Sequence, residues 1–184
     1  MDINNPFYQE VLENLSKNEV EFMLVGGFAV GYYGYHRYTG DMDLWLNPTE
    51  ENLEKLYKAL EHDLDFDKGS VDSIRKNREI DNQTPIKLVS DDGSFKVDLM
   101  TNIFQEQFKW KDCRSQCRKF EINKELTVPV VHINHLIRIK ENSSRLDKGM
   151  KDLVDAQELK KIQALENKEK DPGKKPGKWK GFGF

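Results

Sequence analysis

The sequence is short of apolar residues, of cysteine and of any long hydrophobic run. Hydrophobic residues make up 37% of its 184 positions and charged residues 33%, so a modest core and a heavily charged surface are expected. No run of about eighteen apolar residues occurs, which excludes a membrane-spanning helix. The opening Met1-Asp2-Ile3-Asn4-Asn5-Pro6 lacks the basic, then apolar layout of a secretion signal. A cytoplasmic protein with no membrane partner is the expectation. Cysteine is limited to Cys113 and Cys117; with no nearby Cys or His pair at a zinc-binding spacing, they read as two reduced, partly buried thiols. Positive charge is not in excess either. The net charge is −3, and residues 166–184 hold six lysines against three acids, leaving −6 on the rest. An acidic body argues against a dedicated duplex-DNA binder.

The length suits one domain with an appendage. Phe7 to Lys17 carries apolar residues at helical spacing and ends at Asn18. Glu21 to Val25 reads as a strand, broken by Gly26-Gly27, which open a helix through about Tyr35. Asp41 to Leu46 is a second strand. Pro48-Thr49-Glu50-Glu51 starts a helix that ends near His62. Residues 63–84 have a weak polar pattern, with a short helix available over Val71 to Ile80. Pro85 to Val89 and Phe95 to Met100, separated by Asp91-Asp92-Gly93-Ser94, form a hairpin. Leu126 to Val131 is a strand whose Pro129 places it at a sheet edge. Asn134 caps a helix bearing Leu136, Ile137 and Ile139, and a second helix covers about Lys148 to Leu165. The last residues, rich in Gly, Pro and Lys with Trp179, Phe182 and Phe184, cannot form a packed core. They suit a mobile end, a docking segment or a nucleic-acid tether.

Chemistry concentrates at the second strand. There Asp41 and Asp43 share a face, because strand side chains alternate, while Met42 and Leu44 pack on the other. Two carboxylates on one face repel unless a cation lies between them, and such oxygen ligands suit magnesium.

Taken together, Val25-Gly26-Gly27, a spacer of thirteen residues, Asp41-Met42-Asp43-Leu44 and the later Val97-Asp98-Leu99 resemble the nucleotidyltransferase superfamily, which has the DNA polymerase β-like fold. Arg37-x-Thr39-x-Asp41-x-Asp43, and the late Lys140, Arg145 and Lys151-Asp152-x-x-Asp155, are similar to a small bacterial single-domain branch that includes the abortive-infection and toxin–antitoxin nucleotidyltransferases. The resemblance implies an α/β (α+β) fold: a small mixed sheet with flanking helices, largely on one side, then a short helical section. Residues 1–165 would form this domain and 166–184 a basic, mobile tail.

The same resemblance implies transfer of a nucleoside monophosphate from an NTP to a hydroxyl, with release of pyrophosphate. Asp41, Asp43 and Asp98 would be catalytic and would hold two Mg²⁺ or Mn²⁺ ions. Asp98 would also help deprotonate the acceptor. Gly26 and Gly27 would let the triphosphate approach the backbone at a helix start. Arg37 is a candidate phosphate clamp, the alternative being a salt bridge to Asp41 or Asp43; Thr39 binds phosphate or caps the turn. Lys140, then Arg145, are the nucleotide-binding cations expected from the second half, oriented by Asp152 and Asp155. The acceptor is open among a small molecule, tRNA and a protein, with Phe104 to Lys119 the segment expected to meet it. Two other readings stand beside this: a toxin–antitoxin component with a partner antitoxin, acting on tRNA or its partner, and a non-catalytic nucleotide-binding or interaction protein on the same fold.

Overall fold

A computed structural model describes residues 2–61, 68–77, 85–104, 107–144 and 149–170. Helix α1 (Pro6–Lys17) starts at Asn5, whose side chain accepts from the Phe7 amide, and buries Tyr8, Val11, Leu12 and Leu15. Strand β1 (Phe22–Leu24) runs into α2 (Gly26–Tyr32), which is shorter than its sequence suggested. Strand β2 is Met42–Leu46, with Asp41 immediately before it. Helix α3 (Glu50–Leu60) is capped by the Thr49 hydroxyl. Its buried Asn52 accepts from the Glu21 amide (2.7 Å) and donates to the Glu21 and Asn47 carbonyls, joining the start of β1 to the end of β2. Helix α4 (Lys68–Asn77) precedes the hairpin β3 (Ile86–Val89) and β4 (Lys96–Met100).

The second half contains α5 (Trp110–Ser115), β5 (Arg118–Glu121), β6 (Thr127–Val130), α6 (Ile133–Ser144) and α7 (Gly149–Lys170). The six strands form one mixed sheet in the order β3-β4-β2-β1-β6-β5. Strand β2 runs antiparallel to β1 and parallel to β4, while β6 runs parallel to β1. The ends of β1 and β6 and the beginnings of β2 and β4 therefore share one margin of the sheet. Every candidate acid lies there.

Three further details depart from the sequence reading. Strand β6 is internal, because β5 pairs with it. Ile122 donates to the Leu126 carbonyl, and hydrogen-bonded pairs then alternate, so Pro129, opposite Lys119, faces away from β5. It faces β1, where the parallel register of Leu24 with Val130 sets Phe22 opposite Val128, so the missing N–H forgoes a bond to the Phe22 carbonyl and the pairing is confined to Leu24 with Val130. The start of α6 is capped by His132, whose Nδ1 accepts from the Asn134 amide at 3.3 Å; Asn134 lies inside the helix. Helix α7 continues to Lys170, five residues into the stretch expected to be tail; residues 171–184 lie outside the described residues.

Candidate functional site

The site begins at the turn that ends β1. Gly26 has φ +60°, and a Cβ placed there would lie 1.8 Å from Asp43 Oδ2. A side chain is thus excluded both by conformation and by the carboxylate beside it. A Cβ on Gly27 would meet Thr39 Oγ1 at 2.4 Å, so the second glycine is needed for close approach as well. The Val25 amide donates to the Asp43 carbonyl at 3.0 Å, and the Gly27 amide donates to the Asp43 carboxylate. The glycine pair is the seat of Asp43.

Parallel pairing of β2 with β4 sets Asp43 directly beside Asp98, and paired residues point to the same face. Asp41, two residues before Asp43, joins them: one carboxylate oxygen from each of the three lies within 4.8 Å of the others. The Thr39 hydroxyl lies 3.3 Å from Asp41 Oδ1 and 3.4 Å from the Asp41 carbonyl, its one proton shared between these two acceptors across the turn. Burial, then the charges of Asp41 and Asp98, push the Asp43 carboxyl up from 3.8 to about 6, against the opposing pull of Lys140 and the Gly27 amide. Asp98 is buried and carries Lys87 Nζ on both oxygens, at 2.8 and 2.7 Å.

The facing wall comes from α6 and α7, the most extensively packed helix pair. Lys140 on α6 is buried between Asp152 (2.7 Å) and Asp155 (3.1 Å), one turn apart on α7. Arg37 closes its fork on the fully buried Asp155, with Nε and Nη2 each at 2.5 Å, and gives Nη1 to the Tyr38 carbonyl. Its salt-bridge partner is therefore on α7 and is neither Asp41 nor Asp43. Burial alone would raise the Asp155 carboxyl, but Arg37 and Lys140 outweigh it and hold it below the usual carboxylate range. Arg145 lies outside the described residues.

Between these walls is a cavity of about 370 Å³, lined by Gly26, Gly27, the three acids, Arg37, Thr39 and Lys140, with Met100, Phe104 and Ile139 on its apolar side. Of the segment expected to meet the acceptor, Phe104 reaches this cavity. Phe108 lies under the Arg138 guanidinium, and Trp110 is buried and donates to the Trp45 carbonyl. The three carboxylates bring hard oxygen donors within 4.8 Å of one another, a donor set whose chemistry fits Mg²⁺ or Mn²⁺. They are the one group of this kind among the described residues.

One participant and one pairing escaped the sequence reading. Lys87 stands opposite Asp98 in the hairpin, a register that counting back from the Asp91–Ser94 turn could have supplied. The pairing of Arg37 with Asp155 spans 118 residues, and no local pattern encodes it.

Residues 4–170 match a protein family described as nucleotidyl transferase of unknown function (DUF2204). No curated protein matches the chain. Among solved structures, a candidate nucleotidyltransferase from Thermotoga maritima is similar at 14% identity and a TM-score of 0.52, covering 88% of this chain and 95% of its own. An antigenic nucleotidyltransferase-like protein from Paracoccidioides brasiliensis is similar at 18% identity and a TM-score of 0.50, covering 88% of this chain and 85% of its own. At such identities these two likenesses concern the fold.

Proposed function

The chain belongs to the DUF2204 family of nucleotidyl transferases of unknown function, and from that membership we propose that it moves a nucleoside monophosphate from an NTP to a hydroxyl acceptor, releasing pyrophosphate. The observation that carries this reading is the meeting of Asp41, Asp43 and Asp98 on adjacent strands, within 4.8 Å, beside a glycine turn at the mouth of a cavity. Divalent ions bound by these carboxylates would neutralise the triphosphate and activate the acceptor hydroxyl.

Charge supports a need for such ions. Among the described residues, the cavity is lined by Arg37, Lys140 and Lys151 against Asp41, Asp43, Asp98 and Asp152, and with the ion-pair partners Lys87 and Asp155 the site holds four cations against five acids. That balance is net negative, and a triphosphate would be repelled from it without added cations. In this reading Asp41 and Asp43 act as paired ligands. Asp98 completes the set and accepts the proton of the acceptor hydroxyl. Gly26 and Gly27 keep backbone and Asp43 close while leaving the triphosphate room. Lys140 offers a cation from the facing wall. Arg37, with its fork closed on Asp155, fixes that wall in place, and Thr39 shares its hydroxyl proton with Asp41. Arg145 remains a candidate from sequence alone. The 370 Å³ cavity suits a nucleotide, and its apolar side offers a surface for the base.

Incubation of the protein with α-³²P-labelled NTPs, Mg²⁺ and a cell extract tests this. We expect one fraction (RNA, protein or small molecule) to acquire label with the wild type and not with Asp43→Asn. Absence of label from all three fractions would contradict the assignment, and the labelled fraction identifies the acceptor class.

A further inference from the structure

The third carboxylate of the cluster already has a cation on it. Lys87 Nζ engages both oxygens of Asp98, at 2.8 and 2.7 Å. Among the described residues, Asp41 and Asp43 have no ion pair; their hydrogen-bond donors are the neutral Thr39 hydroxyl and the Gly27 amide. The two halves of the Lys87–Asp98 pair differ in freedom. Asp98 is 6% exposed, whereas the Lys87 side chain is 48% exposed on β3, an edge strand. The acid is fixed in the site, and the lysine has an open path back to water.

An ammonium bonded to both oxygens of a carboxylate takes one lone-pair direction on each that a metal could use, and it repels an incoming cation. With Lys87 in place, the three carboxylates carry a net charge of −2, which a single divalent ion balances. Lodging a second ion calls for the full −3.

We propose that Lys87 is an internal counter-cation that competes with divalent metal for Asp98. An ion held by Asp41 and Asp43 displaces no ion pair and meets only the field of Lys140, which sits on Asp152 and Asp155. One that calls on Asp98 must first turn Lys87 out to solvent. Lys87 is thus a positioning residue: it keeps Asp98 aimed and charge-balanced until metal arrives, and it sets the threshold for filling the second position. The proposal rests on the metal reading of the preceding subsection.

Calorimetric titration of the full chain with Mn²⁺, without nucleotide, tests it. The variants are Lys87→Met, Lys87→Gln as a second neutral replacement, Lys87→Arg, and each neutral variant combined with Asp98→Asn. We expect the neutral variants to bind Mn²⁺ about tenfold more tightly at the weaker position, on the scale of a lost charge-assisted hydrogen bond, and Lys87→Arg to stay near wild type. With Asp98→Asn the gain should vanish. Equal affinities in wild type and both neutral variants would overturn the role of Lys87 and leave the metal site standing. A gain that persists without Asp98 would also overturn it, since that marks a general field effect. No Mn²⁺ uptake by any of these proteins would overturn the metal reading itself, and this inference with it.

Discussion

At Asp43 the demands of function and stability oppose each other. Its carboxyl titrates at about 6 in the folded chain against an ordinary 3.8. Between those values the native state holds the proton more tightly than the unfolded state, so stability falls as pH rises through this window. Above it, the ionised group costs on the order of 3 kcal/mol. Asp43→Asn should therefore make the chain more stable than wild type in urea unfolding at pH 7.5 in EDTA, by about 1–3 kcal/mol. The gain should disappear near pH 4, and equal stabilities at both pH values would refute this account of Asp43. Gly26 leaves no such latitude. Gly26→Ala would force a side chain into positive φ and onto Asp43 Oδ2. We expect a loss of at least about 2 kcal/mol in the same unfolding assay, together with loss of Mn²⁺ binding. Both residues were legible in the sequence, since a glycine pair and a D-x-D set in apolar flanks are local signals.

Elements bring the two walls of the site together, and here the sequence was less informative. The Arg37–Asp155 contact ties the loop before β2 to α7. Removing one partner of a buried pair costs about 3–5 kcal/mol. Because Lys140 remains beside Asp155, Arg37→Ala should fall near the low end, about 3 kcal/mol, measured by thermal unfolding at neutral pH. Lys at position 37 should recover little, since an ammonium cannot reproduce the two-point fork. Asp155 is held below the ordinary carboxylate range, so its stabilising contribution is complete above that range and is lost as pH falls through the lowered value. The acid limb of the stability curve should accordingly be shallower in Arg37→Ala. Helical periodicity revealed α6 and α7 as elements. It could not reveal which charge on one meets which charge on another, because surface-type Lys, Arg and Asp at helical spacing look alike until packing buries them. Pro129 misled for a related reason: a missing N–H weakens a ladder without making its strand an edge, and here it shortens the β1–β6 pairing while β5 still covers the other side.

Across the whole molecule, a mixed sheet gathers residues from three separated stretches onto one margin, and the second half of the chain closes over it. The order of strands and acids was enough to indicate the fold, while the β5 edge strand and the seat of Lys87 depended on register. The same packing silences the cysteines. Burial pushes the thiols of Cys113 and Cys117 each up to about 11, so neither should react appreciably with a disulfide reagent at pH 7.5 in the folded protein. Both should titrate promptly in denaturant, and fast reaction of the native chain would contradict the packing around α5. No described helix is long and apolar enough to cross a membrane. In the function proposed above, the shared margin of the sheet takes up an NTP through divalent metal held by its three carboxylates. Equilibrium dialysis of the full chain against α-³²P-labelled NTPs, in Mg²⁺ and in EDTA, with Asp41→Asn and Asp43→Asn alongside, measures this uptake. We predict retention of nucleotide by the wild type in Mg²⁺, and its loss in EDTA and in both variants. Retention that is indifferent to metal or to these two substitutions, or no retention at all, would rule that function out.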